Sequence, residues 1–92
     1  MAVYTYLIQS IENGDFYTGI SVHTNRRLIE HNSGKLKTTS SKKPWRLVFA
    51  REHETYDSAR RHEKWLKKKN TEYKSRLVQL APPVSEGQGK AP

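Results

Sequence analysis

Residues 3 to 10, Val-Tyr-Thr-Tyr-Leu-Ile-Gln-Ser, combine β-branched, aromatic and aliphatic side chains and read as a strand. Asn13-Gly14 follows, a pair suited to a two-residue hairpin turn because both of its positions need positive φ. Phe16 to Ser21 is then the returning strand. With that turn Ser10 faces Tyr17, Ile8 faces Gly19 and Tyr6 faces Ser21. Strand alternation places Tyr6 and Tyr17 on one face of the sheet. Gly19 lies between them and is expected to leave an open patch where a ligand or another backbone can approach closely.

The pattern then turns helical. Thr24 is the expected N-cap of a short helix over Asn25 to Asn32, closed near Gly34. Ser33 to Lys43 is polar and basic and reads as a loop. Pro44 cannot donate to a ladder, so it suits the entrance to a third strand, Trp45-Arg46-Leu47-Val48-Phe49-Ala50. Asp57 or Ser58 is expected to cap a second helix running to about Lys69. Thr71 is expected to cap a third ending near Leu80, stopped by Pro82-Pro83. The pattern predicts an α+β domain over residues 1–81: a three-stranded antiparallel sheet flanked by helices, in the order ββαβαα. Residues 82–92 are rich in Gly, Pro and polar residues and are expected to be a disordered tail.

Composition narrows the partners. Hydrophobic residues make up 34% of the 92, so the core is expected to be thin. Lys and Arg outnumber Asp and Glu by 17 to 9, a formal charge of +8. That excess points to a polyanion, with nucleic acid ahead of an acidic membrane surface. The absence of cysteine excludes disulfides and thiolate zinc sites. No apolar run approaches membrane-spanning length and no secretory signal is visible, so the cytoplasm is the expected compartment.

Tyrosine, arginine, histidine and glutamate are a working set for attack on a phosphodiester. Tyr or His can relay a proton, and Arg can hold charge that builds on phosphate. Arg27 and His31 are four residues apart and share a helix face. Arg26 and Glu30, also four apart, are expected to form an exposed ion pair. Each residue alone has a plainer reading. Arg27 would be a surface charge, His31 a helix-end residue complementing the dipole, and Tyr6 and Tyr17 core aromatics. Glu63 would be a solvated helix residue with Lys67 as ion-pair partner. For Glu63 to face the hairpin, Ala59 and Leu66 would have to form the buried strip that turns it inward. His62 is not at metal-pair spacing with another histidine, and no zinc site is read.

Taken together these residues resemble the GIY-YIG nuclease superfamily, and within it the small single-domain members. The first family triad falls on Tyr4-Thr5-Tyr6, where only Tyr6 is kept. The second falls on Tyr17-Thr18-Gly19, which keeps Tyr17 and Gly19. The family arginine lands on Arg27, the His or Tyr one turn later on His31, and the metal-binding glutamate of the second helix on Glu63. Glu30-His31-Asn32-Ser33-Gly34-Lys35 and Pro44-Trp45-Arg46-Leu47-Val48 are similar to the small members. The triad positions held by Tyr4 and Thr5 are mainly structural. The further asparagine of many family nucleases has no well-spaced counterpart here; Asn70 is the nearest and its role is not carried over.

The resemblance implies an endonuclease that hydrolyses DNA phosphodiester bonds in repair or processing, with RNA as an alternative substrate. It implies one divalent metal, Mg²⁺ or Mn²⁺, at Glu63 and no small-molecule cofactor. Catalytic roles fall on Tyr6, Tyr17, Arg27, His31 and Glu63. Lys35, Lys37, Lys42 and Lys43 of the basic loop are expected to bind nucleic-acid backbone. The rival reading is a non-catalytic nucleic-acid-binding module with the same fold.

Overall fold

The computed structural model describes residues 2–81, and the stretch expected as a tail lies outside them. The elements are β1 (Val3–Ser10), β2 (Phe16–Ser21), α1 (Thr24–Ser33), α2 (Lys37–Ser40), β3 (Trp45–His53), α3 (Tyr56–Lys67) and α4 (Thr71–Leu80). The strands form one antiparallel sheet in the order β2-β1-β3, so β1 is central. The α+β order ββαβαα therefore holds, with one added helical turn, α2, inside the basic loop.

The hairpin departs from its expected register. Tyr6 faces Gly19 and Ile8 faces Tyr17, a shift of two residues. The loop has four residues, Ile11 to Gly14, rather than two. Ser10 N–H closes it on Asp15 O at 2.8 Å, and Gly14 N–H bonds Ser10 O at 2.9 Å. Only Gly14 adopts positive φ, at 84°. Asn13 contributes its side chain instead, Oδ1 accepting from Asp15 N–H at 3.0 Å. A shift of two preserves parity, so Tyr6 and Tyr17 still share a face.

Each face of the sheet buries its own cluster. Tyr6, Ile8, Trp45 and Leu47 pack with Tyr17 and with Leu28 of α1. Leu7 and Phe49 pack on the other face with Leu66 of α3 and with Leu77 and Val78 of α4. Leu47 and Phe49 are both odd-numbered yet serve opposite faces. The β1–β3 register slips between Leu7 and Ile8, which pair with Phe49 and Leu47 and leave Val48 as an extra residue. Thr5, fully buried, donates its hydroxyl to Ala59 O at 2.9 Å and ties β1 to α3.

Several boundaries are corrected. Thr24 is the first residue of α1, not its cap; its hydroxyl is buried and has no partner among the described residues. Gly34 ends α1 in the left-handed conformation, φ 84°, as its position predicts. Thr55, not Asp57 or Ser58, caps α3 by accepting from Ser58 N–H, and α3 stops at Lys67. Asn70, not Thr71, caps α4 through Tyr73 N–H at 2.8 Å. β3 continues three residues past Ala50 because Arg51, Glu52 and His53 pair with Thr5, Tyr4 and Val3.

Candidate functional site

Tyr6 leaves β1 toward α1 and is almost fully enclosed, 1% exposed. Its ring lies across Gly19, where a Cβ would stand 2.6 Å from the phenol oxygen. The expected open patch is thus occupied by Tyr6 itself, and glycine is needed so that the ring can lie flat on the strand. The phenol meets His31 Nε2 at 2.9 Å. His31 is completely buried, and its Nδ1 lies 2.9 Å from Thr39 Oγ1. Thr39 Oγ1 also reaches Leu36 O at 3.4 Å, so its hydrogen has a backbone acceptor. We assign the proton of His31 to Nδ1 on that basis, which leaves Nε2 to accept from Tyr6. Tyr17 packs edge-on against the same imidazole, ring centroids 4.9 Å apart.

Electrostatics hold this chain neutral. Burial pushes the Tyr6 phenol up to about 12, against the pull of the nearby Arg27 guanidinium. Burial and then the Arg27 charge push His31 down to about 4, with Glu30 opposing. His31 is therefore not a charged helix-end residue. Arg27 pairs with Glu30 at 2.7 Å and keeps about a third of its side chain in solvent; Glu30 takes Arg27 rather than Arg26.

Glu63 comes from the opposite side of the sheet. Ala59, Glu63 and Leu66 form the buried strip of α3, so the carboxylate is turned inward. Its charge adds to the upward shift of Tyr6. α3 packs against both β1 and β2. The Glu63 oxygens are already engaged, Oε1 by Arg60 at 2.9 Å and Oε2 by Lys67 at 3.3 Å. Both cations are half-exposed, so these pairs are weak and exchangeable. Among the described residues no three His, Cys, Asp or Glu side chains gather as a metal cage. A single inward carboxylate fits a hard cation such as Mg²⁺, which keeps most of its waters and takes substrate phosphate as a further ligand.

Of the four lysines in the loop, Lys35, Lys37 and Lys43 are exposed, whereas Lys42 is bound to Asp15 at 2.9 Å. Two features were hidden from the sequence. Thr39 reaches His31 only because the loop folds back as α2, held by Trp45 Nε1–H donating to Thr39 O at 2.9 Å. His62 has a histidine partner after all: its Nδ1 lies 3.1 Å from Nε2 of His53 on β3. Neither pairing has a fixed sequence spacing that could announce it.

A buried phenol–imidazole pair beside an arginine, on a hairpin braced by two helical layers, marks a class. A family model described as the GIY-YIG catalytic domain matches residues 2–76, and the chain belongs to the GIY-YIG family. It is 32% identical over 81 residues to a UPF0213 protein of Syntrophus aciditrophicus, covering 86% of this chain and 92% of that one. It is 29% identical over 79 residues to a UPF0213 protein of Bacillus cereus, covering 85% and 82%. The solution NMR structure of the UPF0213 protein BH0048 from Bacillus halodurans superposes with a TM-score of 0.54 at 33% identity, covering 87% of this chain and 85% of that one. No helix among the described residues is long and apolar enough to cross a membrane.

Proposed function

We propose that the protein is a divalent-metal-dependent endonuclease hydrolysing DNA phosphodiester bonds, suited to DNA repair or processing. The observation that carries this reading is the chain Tyr6–His31–Thr39, two contacts of 2.9 Å with its imidazole buried and neutral. The Tyr6 oxygen is enclosed and lies against the Arg27 guanidinium; movement of Arg27 to the phosphate would uncover it and release a lone pair for the hydrogen of an attacking water. As that water loses its proton to the phenol oxygen, Tyr6 passes its own to His31 Nε2, and Thr39 steadies the imidazolium that results. Tyr17, packed on the imidazole, holds the ring and offers its hydroxyl to water or phosphate. Arg27, a third exposed, can leave Glu30 for the phosphoryl oxygens as their charge grows. Glu63 would hold Mg²⁺ or Mn²⁺, which supplies charge neutralisation at the scissile phosphate.

The test is single-turnover cleavage of supercoiled, branched and single-stranded DNA, and of RNA, with Mg²⁺, Mn²⁺ or chelator. Glu63→Ala is expected to abolish cleavage while binding is kept or improved, because a carboxylate facing phosphate is removed. Arg27→Ala is expected to lose about 2–4 kcal/mol of transition-state stabilisation with only a modest loss of binding. Cleavage undiminished in Glu63→Ala would move the site elsewhere. The non-catalytic binding module is favoured by one observation, the neutralisation of Glu63 by Arg60 and Lys67. Absence of cleavage on every substrate with either metal would select it.

A further inference from the structure

Trp65 projects from α3 beyond the strip that carries Glu63, and it is 45% exposed. Tyr73 of α4, 37% exposed, meets it at 5.7 Å between centroids and 86° between planes. Lys69 lies over both rings, its Nζ 4.5 Å from the Trp65 centroid and 5.5 Å from that of Tyr73. α4 also packs Leu77 and Val78, both half-buried, against the Leu7–Phe49–Leu66 cluster, so this corner is not its sole contact with the domain. Residues 60–69 contain six cations and one carboxylate, so much of the molecule's excess charge surrounds the exposed rings. The basic field is continuous from the candidate site. Lys67 contacts Glu63 and also depresses the pKa of the partly buried Lys74, whose own burial contributes more.

We propose that Trp65, Tyr73 and Lys69 form a stacking platform for an unpaired base of single-stranded nucleic acid, with Lys64, Lys68 and Lys69 holding the flanking phosphates. A base would take the place of the Lys69 ammonium on the indole, and the ammonium would move to the adjoining phosphate, so that π-face and charge act together, the combination that binds single strands without reading sequence. A duplex hides the faces of its bases, and an acidic peptide would satisfy the lysines while leaving the indole in water. Because α3 carries both the platform and Glu63, a strand held there is tethered to the same helix as the candidate metal ligand. This inference rests on nucleic acid being the partner, and adds the strandedness of the segment it grips.

The experiment is a fluorescence titration in chelator, so that nothing is cut, with oligo-dT, oligo-rU and a blunt duplex of equal length. Trp45 is only 3% exposed, so quenching reports Trp65. The expected result is quenching by oligo-dT, by oligo-rU or by both, their ratio showing the preferred sugar. Trp65→Ala should weaken single-strand binding roughly ten-fold and duplex binding less than about two-fold, and Trp65→Phe should recover most of the loss. Tyr73→Ala, which leaves the indole in place, should weaken single-strand binding in the same direction. Single-strand binding without quenching, or an equal loss for both strand forms in Trp65→Ala, overturns the platform. If the duplex is bound and cut while neither oligomer quenches, only the platform falls; if no nucleic acid binds at all, the nuclease reading falls with it.

Discussion

His31 gathers the contacts of the candidate site at the scale of one residue. It is wholly buried, contacts Tyr6 and Thr39 through its two nitrogens, and packs beside Tyr17 and Arg27. A ring held down at about 4 stays neutral through the physiological range. The unfolded chain takes up this proton near pH 6.5, so between about pH 6.5 and about 4 it binds more protons than the folded chain. Stability is therefore expected to fall across that window as acid is added, by up to about 3 kcal/mol for this residue. His53 and His62, both also lowered by burial, act in the same direction. Proton NMR should find the His31 imidazole neutral down to about pH 5; a midpoint near 6.5 would mean that water reaches it. Its four-residue spacing from Arg27 was plain in the sequence. Its burial was not, because the residues that cover it come from the hairpin and the basic loop.

At the scale of the element, α2 is the piece that pattern reading misses. Four residues, Lys-Thr-Thr-Ser, carry no apolar side chain, so nothing in their hydropathy separates a helical turn from a loop. Tertiary bonds supply the order: Thr39 O accepts from Trp45 Nε1–H, and Asn32 Oδ1 accepts from Trp45 N–H at 2.6 Å. Thr39→Val keeps the shape and removes the hydroxyl. A buried nitrogen of His31 then loses its partner, which is expected to cost about 1–3 kcal/mol in urea denaturation. Cleavage should slow as well, since the ring is free to turn away from Tyr6. The strands were legible from their β-branched, aromatic and aliphatic content, and the three main helices from the capping and stop residues around them. The hairpin register was not, since Asn13-Gly14 signals a tight turn whereas Ser10 and Asp15 close a wider one. The caps slid by one to three residues because the side chains at Thr55 and Asn70 reach the first free N–H groups better than their neighbours do.

At the scale of the whole molecule, charge is the property that sequence reports most directly, and folding changes which charges are free. Lys42 is spent on Asp15, while Lys35, Lys37 and Lys43 remain exposed. Replacing these three by alanine is expected to make the slope of log affinity against log salt shallower by roughly two to three, about one unit for each phosphate no longer neutralised. The Lys42–Asp15 pair is half-exposed and exchangeable, so adding Lys42→Ala is expected to take off up to about one further unit. Filter binding of a duplex over a range of salt measures it, and an unchanged slope would remove the loop from the interface. The two-sided core explains how so basic a chain folds at all. Most cations sit on helix faces or in the loop, while β1, β2 and both buried clusters carry no charge and Arg46, Arg51 and Glu52 of β3 are exposed.

The ring of Tyr6 lying on Gly19 makes this tyrosine detachable in principle. Tyr6→Ala would leave a closed space shaped like a phenol, floored by glycine and with His31 Nε2 at its polar end. Dry cavities of that size take up small aromatic molecules. Added phenol is expected to raise the melting temperature of Tyr6→Ala by mass action and to restore part of its cleavage, whereas benzene should stabilise it without restoring activity. A second change, Gly19→Ala, would put a methyl group where the phenol oxygen belongs and shut the guest out. On the nuclease reading, the glycine of the second triad would then act as the gatekeeper of chemical complementation, admitting or refusing the reagent that stands in for the Tyr6 side chain.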